Sequence, residues 1–299
     1  MMHEDVERIT IGLDDTEASW TALRWVAERA ARHACRVHLV RAVDPLEPEE
    51  GWTHHRLVAG RSLVLQSAPG TEVELSAPPA PIVDALVDAA RPDDLLVVGS
   101  HRRRRLQSAL TGLLPDRIAG ASHVPTVIVP DDWPSGQLDA DVVLAVDADT
   151  AGEVLDFAVR EAERHGATLR VVHTWQEPAP VGPPVVAAMV ESPVVELAAA
   201  QAVLDTAVAR VAETARVAES AHVAEQARIT ASSSGLVVHG ELLRGAPGAA
   251  VTAAAEHHGL VVVGRRHRST FGGEVLGSVA QDLMAESTTA LCVVPVRQG

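Results

Sequence analysis

Apolar residues gather along this chain in short dense runs, and the stretches between them repeat their apolar positions every three or four residues. ITIGLD (9–14), RVHLVRAV (36–43), DLLVVGS (94–100) and PTVIVP (125–130) are such runs, rich in Val, Ile and Leu. A short, nearly continuous apolar run reads as a strand buried on both faces. TEASWTALRWVAERAARH (16–33) instead places its apolar residues at helical spacing and reads as an amphipathic helix. Strands that alternate with helices in this way predict a parallel sheet covered on both faces.

The pattern occurs twice. VVLAVD (142–147), TLRVVHTW (168–175), LVVVGRR (260–266) and TALCVVP (289–295) follow in the same order, with TAGEVLDFAVREAERHG as the second amphipathic stretch. Asp14 and Asp147 are 133 residues apart, whereas Gly99 and Gly264, Gly112 and Gly277, and Pro130 and Pro295 are each 165 apart. The second copy therefore carries 32 extra residues between its second and third strands, 165 less 133. The extra length falls at about 176–235, in a Pro-rich segment, EPAPVGPPV, and an Ala-rich run from about Val195 to Ile229. Ala is the best helix former, so a long helix is expected there. Its VAETAR-VAESAH-VAEQAR repeat drifts around a helix and draws no straight seam. Docking on its own sheet is the plainer reading, and a surface for a partner or a second copy is the other. DDWPSGQLDA (131–140) has the Pro, Gly and acidic residues of a linker. Two domains, 1–132 and 139–299, with about five strands each, are the expected organisation.

Composition narrows the function classes. At 47% hydrophobic residues the chain can build cores and is no disordered tail. A net charge of −15 repels nucleic acid in general, so that partner is not expected. No 18-residue apolar stretch predicts a membrane span, and MMHEDVERIT has no apolar signal core. Cys35 and Cys292 lie far apart in apolar runs and read as buried, reduced thiols of a cytoplasmic protein.

In an open parallel sheet, ligands bind beyond the C-terminal ends of the strands. In the second half those ends are Asp147, His173-Thr174 and Gly264, and Gly277-Ser278-Val279 opens the next helix. A helix start attracts an anion through its unpaired N–H groups and its dipole. Ser278 could add its hydroxyl, and Asp147 could accept from ribose or an adenine amino group. The pattern G-x2-G-x9-G-[ST], with an upstream Asp ending strand one, resembles the nucleotide signature of the universal stress proteins. The resemblance covers nearly the whole chain, twice.

It implies two fused α/β, Rossmann-like domains of the adenine nucleotide alpha hydrolase kind. Each would be a five-stranded parallel sheet in order 3-2-1-4-5 with helices on both faces. The halves would form a pseudo-dimer along their last strands, and a homodimer of chains is the other arrangement. The ligand it implies is ATP, with Mg, or AMP. The second-half site would comprise Asp147, Thr174, Gly264, His267, Gly277, Ser278 and Val279, with His267 standing where the family's second Gly belongs. The first half, at Asp14, Gly99, Arg102 and Gly112, departs further: Arg102 replaces the Gly and Leu113 the Ser. Asp14-Asp15-Thr16 and Asp147-Ala148-Asp149 replace the family's Asp-Gly-Ser and bring extra acids beside a phosphate site. The second site is therefore the one expected to bind, and the first is degenerate.

The remaining candidates are weaker. His101 followed by Arg102–Arg105, and Arg265, Arg266 and Arg268, are either anion-gripping clusters or solvated loops that balance nearby acids. His54-His55 and His257-His258 are adjacent, so their side chains diverge and share no metal. There is no Walker A, G-x-S-x-G or H-E-x-x-H motif, and no residue stands out as a nucleophile. The expected function is a regulatory stress-response binding protein, not an enzyme, that offers its surface to a protein partner. A nucleotide-free scaffold on the same fold is the alternative, and a slow ATPase ranks behind both.

Overall fold

A computed structural model describes residues 6–44, 50–101, 114–177, 193–226, 235–265 and 276–296. The first half runs β1 (Glu7–Gly12), α1 (Glu17–Arg32), β2 (Cys35–Val40), α2 (Glu50–Ser67), β3 (Glu72–Ser76), α3 (Ile82–Ala89), β4 (Leu95–Ser100), α4 (Leu114–Ala121) and β5 (Thr126–Pro130). The second runs β6 (Val142–Val146), α5 (Gly152–His165), β7 (Leu169–Trp175), α6 (Pro193–Gln226), β8 (Val238–Arg244), α7 (Pro247–Ala255), β9 (Leu260–Gly264), α8 (Ser278–Glu286) and β10 (Ala290–Val294).

All ten strands form one sheet in the order β3-β2-β1-β4-β5-β10-β9-β6-β7-β8. Each half is a parallel 3-2-1-4-5 arrangement. The halves join through their last strands, β5 and β10, which pair antiparallel with Cys292 opposite Val127. Parallel strands within each half and one antiparallel seam place the two sets of C-terminal strand ends on opposite edges of the sheet.

The central strands are apolar throughout because helices cover both faces. One core packs α1, α2, α5 and α6 on one face through Trp25, Leu57, Leu155 and Val211. The other packs α3, α4, α7 and α8 through Leu86, Ile118, Val251 and Leu283. Thr16 caps α1 by accepting from the Ser19 N–H, and Gly166, at φ 59°, ends α5 in the left-handed region that favours glycine. The long helix spans Pro193–Gln226, close to the expected 195–229. It docks on its own half through Ala200, Leu204, Ala207 and Val211, spaced by three or four residues. Gly240 of β8 lets it approach, since a Cβ there would lie 2.9 Å from Val208.

A buried ionic cluster joins the halves beside the seam. Arg29 of α1, with no exposed surface, donates to both carboxylate oxygens of Glu161 on α5 at 2.8 Å. It also donates to Glu7 of β1 at 2.7 and 2.8 Å. Arg164 bridges the same two carboxylates at 2.6 and 2.8 Å. Burial alone would raise the Glu161 carboxyl, but the Arg29 and Arg164 charges override it and hold it at about 2. His165 accepts from Arg29 at 3.0 Å and packs edge-on against His33 of the first half. Burial, then the Arg29 charge, pushes His165 down to about 4 and His33 in the same direction. Cys35 and Cys292 are free and buried, and burial raises both thiols.

Candidate functional site

The C-terminal ends of β6, β7 and β9 and the start of α8 enclose a cavity of about 340 Å³. Asp147, Thr174, Gly264, Gly277, Ser278 and Val279 all line it, brought together from four separated segments. His267 lies outside the described residues, as do Arg102, Gly112, Arg266 and Arg268.

The floor of this cavity is a self-locked turn. The Asp147 N–H donates to Thr150 Oγ1 at 2.8 Å. The Asp147 carboxylate accepts from the Thr150 hydroxyl at 3.0 Å and from the Asp149 N–H at 2.9 Å. An Asp that binds its own backbone two residues on forms an Asx turn, so Asp147 has a fixed direction. His173 donates from Nδ1 to the Val146 carbonyl at 2.8 Å, which fixes the direction of its ring. Val172, Pro247 and Val251 supply an apolar wall. Gly277 caps α8 with extended backbone (φ −62°, ψ 158°) and no side-chain cap. The first-turn N–H groups of α8 are therefore presented to the cavity as donors for an anion.

Glycine at 264 serves packing. A Cβ there would come 3.1 Å from Val154 Cγ2. His173 was expected as a strand end, whereas Thr150 and the α7 wall were not singled out as site residues. Thr150, three residues after Asp147, was the legible signal for the turn. Arg265, read as a loop cation, reaches into the first half. Its Nη1 donates to the carbonyls of Gly120 at 2.5 Å, Ser122 at 2.6 Å and Ala119 at 3.3 Å, at the end of α4 in the first half.

A second cavity, of about 360 Å³, occupies the matching place in the first half. Asp14 and Gly99 line it, with Arg41, His101, Arg117 and an apolar wall that includes Val40, Ile82, Leu86 and Ile118. Asp14 accepts from the Thr16 N–H at 2.8 Å and the Thr16 hydroxyl at 2.6 Å, repeating the Asx turn. Asp15, read as a repelling acid, is ion-paired to Arg41 at 3.0 Å and Arg56 at 2.8 Å. The Arg41 hydrogen bond leads in holding its carboxyl below the usual range. His101 meets Asp131 at 3.3 Å. Gly99 is indispensable: a Cβ would lie 2.3 Å from the Ala18 backbone. Among the described residues, no group of three or more His, Cys, Asp or Glu could hold a metal ion, and no helix is long and apolar enough to cross a membrane.

The model of the universal stress protein family matches residues 6–130 and again 141–295. The chain belongs to the universal stress protein family. It is a tandem member, two universal stress protein units in one sheet. It is 25% identical to a universal stress protein of Mycolicibacterium smegmatis over 97% of each chain. It is 27% identical to one of Mycobacterium tuberculosis over 95% of each. The universal stress protein structure from Archaeoglobus fulgidus shares the fold, with a TM-score of 0.61 at 17% identity, covering 96% of this chain and 98% of that one.

Proposed function

We propose that this universal stress protein is a regulatory binding protein of the cytoplasmic stress response. Its second-half cavity takes an adenine nucleotide, AMP or ATP with Mg. The observation that carries this reading is the convergence of Asp147, Thr174, Gly264, Gly277 and Ser278 on one cavity at the start of α8. The volume, about 340 Å³, suits a small ligand. The phosphate would sit on the α8 N–H groups, and the base against Val172, Pro247 and Val251. Asp147 and Thr174 would offer polar partners to the nucleoside. Binding would change the surface offered to a protein partner.

Thermal melting with Mg-ATP, ADP and AMP tests the reading. Ligand at 100 times its dissociation constant adds about 2.7 kcal/mol to the state that binds it. That is a shift of several degrees for a domain of this size, and Gly277→Asp, which puts a carboxylate where the phosphate would lie, is expected to abolish it. No shift at millimolar nucleotide rejects the assignment. The same pair of proteins in a phosphate-release assay decides whether any ATP turnover belongs to the chain.

A nucleotide-free scaffold is the second reading, and α6 favours it. Val195 and Leu197 are exposed there, outside the docked stripe. If they meet a second copy, light scattering will show a smaller particle for the double variant Val195→Glu with Leu197→Glu. An unchanged mass removes this face from consideration.

A further inference from the structure

The two cavities open on opposite edges of the sheet, and α4 lies between them. Its first turn, through Leu114, Pro115, Arg117 and Ile118, forms part of the wall of the first-half cavity. Its far end is about 12 Å away, eight residues at 1.5 Å each. That end is held by Arg265, whose backbone continues from Gly264 and which also lines the second-half cavity. One side chain thus touches the rim of one cavity and the helix that walls the other.

The contact is a built one. A helix C-terminus leaves carbonyls without N–H partners and carries partial negative charge. The last turn of α4 has no basic residue of its own. Arg265 supplies the missing cation from the other half, through three carbonyl contacts from Nη1. Its own N–H is fixed to the Val294 carbonyl at 2.8 Å, so its backbone is anchored on β10. The brace runs one way. The position 165 residues earlier is Ser100, a short buried side chain that cannot reach the matching helix.

We propose that Arg265 couples the two cavities: an anion in the second-half cavity draws its guanidinium off the carbonyl end of α4, and α4 transmits the release to the first-half cavity. The step rests on the anion reading of the second-half cavity given above. Phosphate is the stronger partner for a guanidinium, since it offers charged acceptors where α4 offers neutral carbonyls. A ligand shifts such an equilibrium only by what it gains differently in the two states. Here the difference is the Arg265–phosphate contact against the Arg265–carbonyl contacts.

Amide hydrogen exchange on the full chain tests this. In the ligand-free protein, Arg265→Ala is expected to speed exchange at residues 118–124 by about tenfold, and Arg265→Lys by less. Mg-ATP is expected to protect residues 278–282 of the wild type and, at the same time, to speed exchange at 118–124. In Arg265→Ala, Mg-ATP should leave 118–124 where the substitution put it. A purely structural brace would not respond to nucleotide at all. Protection at 278–282 with 118–124 unmoved overturns the coupling alone. Absence of protection at 278–282 overturns the nucleotide reading, and the anion-driven coupling with it.

Discussion

The turn after β1 and the turn after β6 occupy the same place in their two halves and are stabilised differently. In the first half, Thr16 both satisfies Asp14 and caps α1, while Arg41 and Arg56 neutralise the extra acid Asp15. In the second, Thr150 satisfies Asp147 and Asp149 faces the cavity. Arg210 donates to the Thr150 carbonyl at 2.9 Å, and Arg265 to the end of α4. The cavity with the Gly277-Ser278 helix entry therefore has the more acidic floor. The cavity whose loop has lost both the second glycine of the signature and its serine has Arg41 and Arg117 on its wall. Two cavities of similar size and place thus carry unlike electrostatics.

The largest test of this contrast is to separate the halves. Arg29→Met leaves Glu7 and Glu161 buried without their main cation, and is expected to cost about 3–5 kcal/mol in urea unfolding. The two halves should then unfold in separate transitions, so that each can be compared alone. A loss below about 1 kcal/mol would mean that the seam, not the cluster, holds them together.

Acid should loosen the same joint. His165 titrates at about 4 in the folded chain, against 6.5 for an unperturbed histidine. Between those values the unfolded chain binds the extra proton, so stability is full above about 6.5 and falls as pH drops toward 4. The gap corresponds to about 3 kcal/mol. Glu161 adds a further loss below about 4.5, as pH falls toward its folded value of about 2. His165→Gln should flatten the melting profile between pH 6.5 and 4. An unchanged slope would point to other groups.

The smallest effects sharpen the comparison at the strand ends. Gly99→Ala forces a Cβ to within 2.3 Å of the Ala18 backbone, which cannot turn aside. It should cost about 2–3 kcal/mol. Gly264→Ala meets a Val154 methyl, the end of a side chain, at 3.1 Å and should cost less than about 1 kcal/mol. Equal melting shifts for the two variants would contradict the difference in packing.

Much of the fold was legible because burial on both faces writes itself as continuous apolar runs. β1, β2, β4 and β5 and their counterparts all read that way. The edge strands did not. EVELS of β3 alternates polar and apolar residues, and VHGELLR of β8 is broken by Gly240 and by charges. Each has a sheet neighbour on one side only. The site was legible as far as strand-end logic reaches, since Asp147, Gly264 and Gly277 keep a spacing that the fold turns into proximity. Arg29 was not legible. It stands 22 residues from Glu7 and 132 from Glu161, inside a helix where any Arg looks solvated. The reach of Arg265 was hidden for the same reason, because what it meets on α4 are backbone carbonyls of the other half, which no residue type announces.

The antiparallel seam of β5 and β10 has one further consequence. Two mates tethered in one chain meet at an effective concentration of about millimolar, whatever the dilution, so their pairing is insensitive to how much protein is present. It also changes what a single substitution can do. In a symmetric dimer every replacement appears twice, facing itself across the axis. Here Arg29 has Ala162 as its counterpart, 133 residues on, and Arg265 has Ser100. Each could arise once, with its partners on the other side, and so give the two mates different jobs.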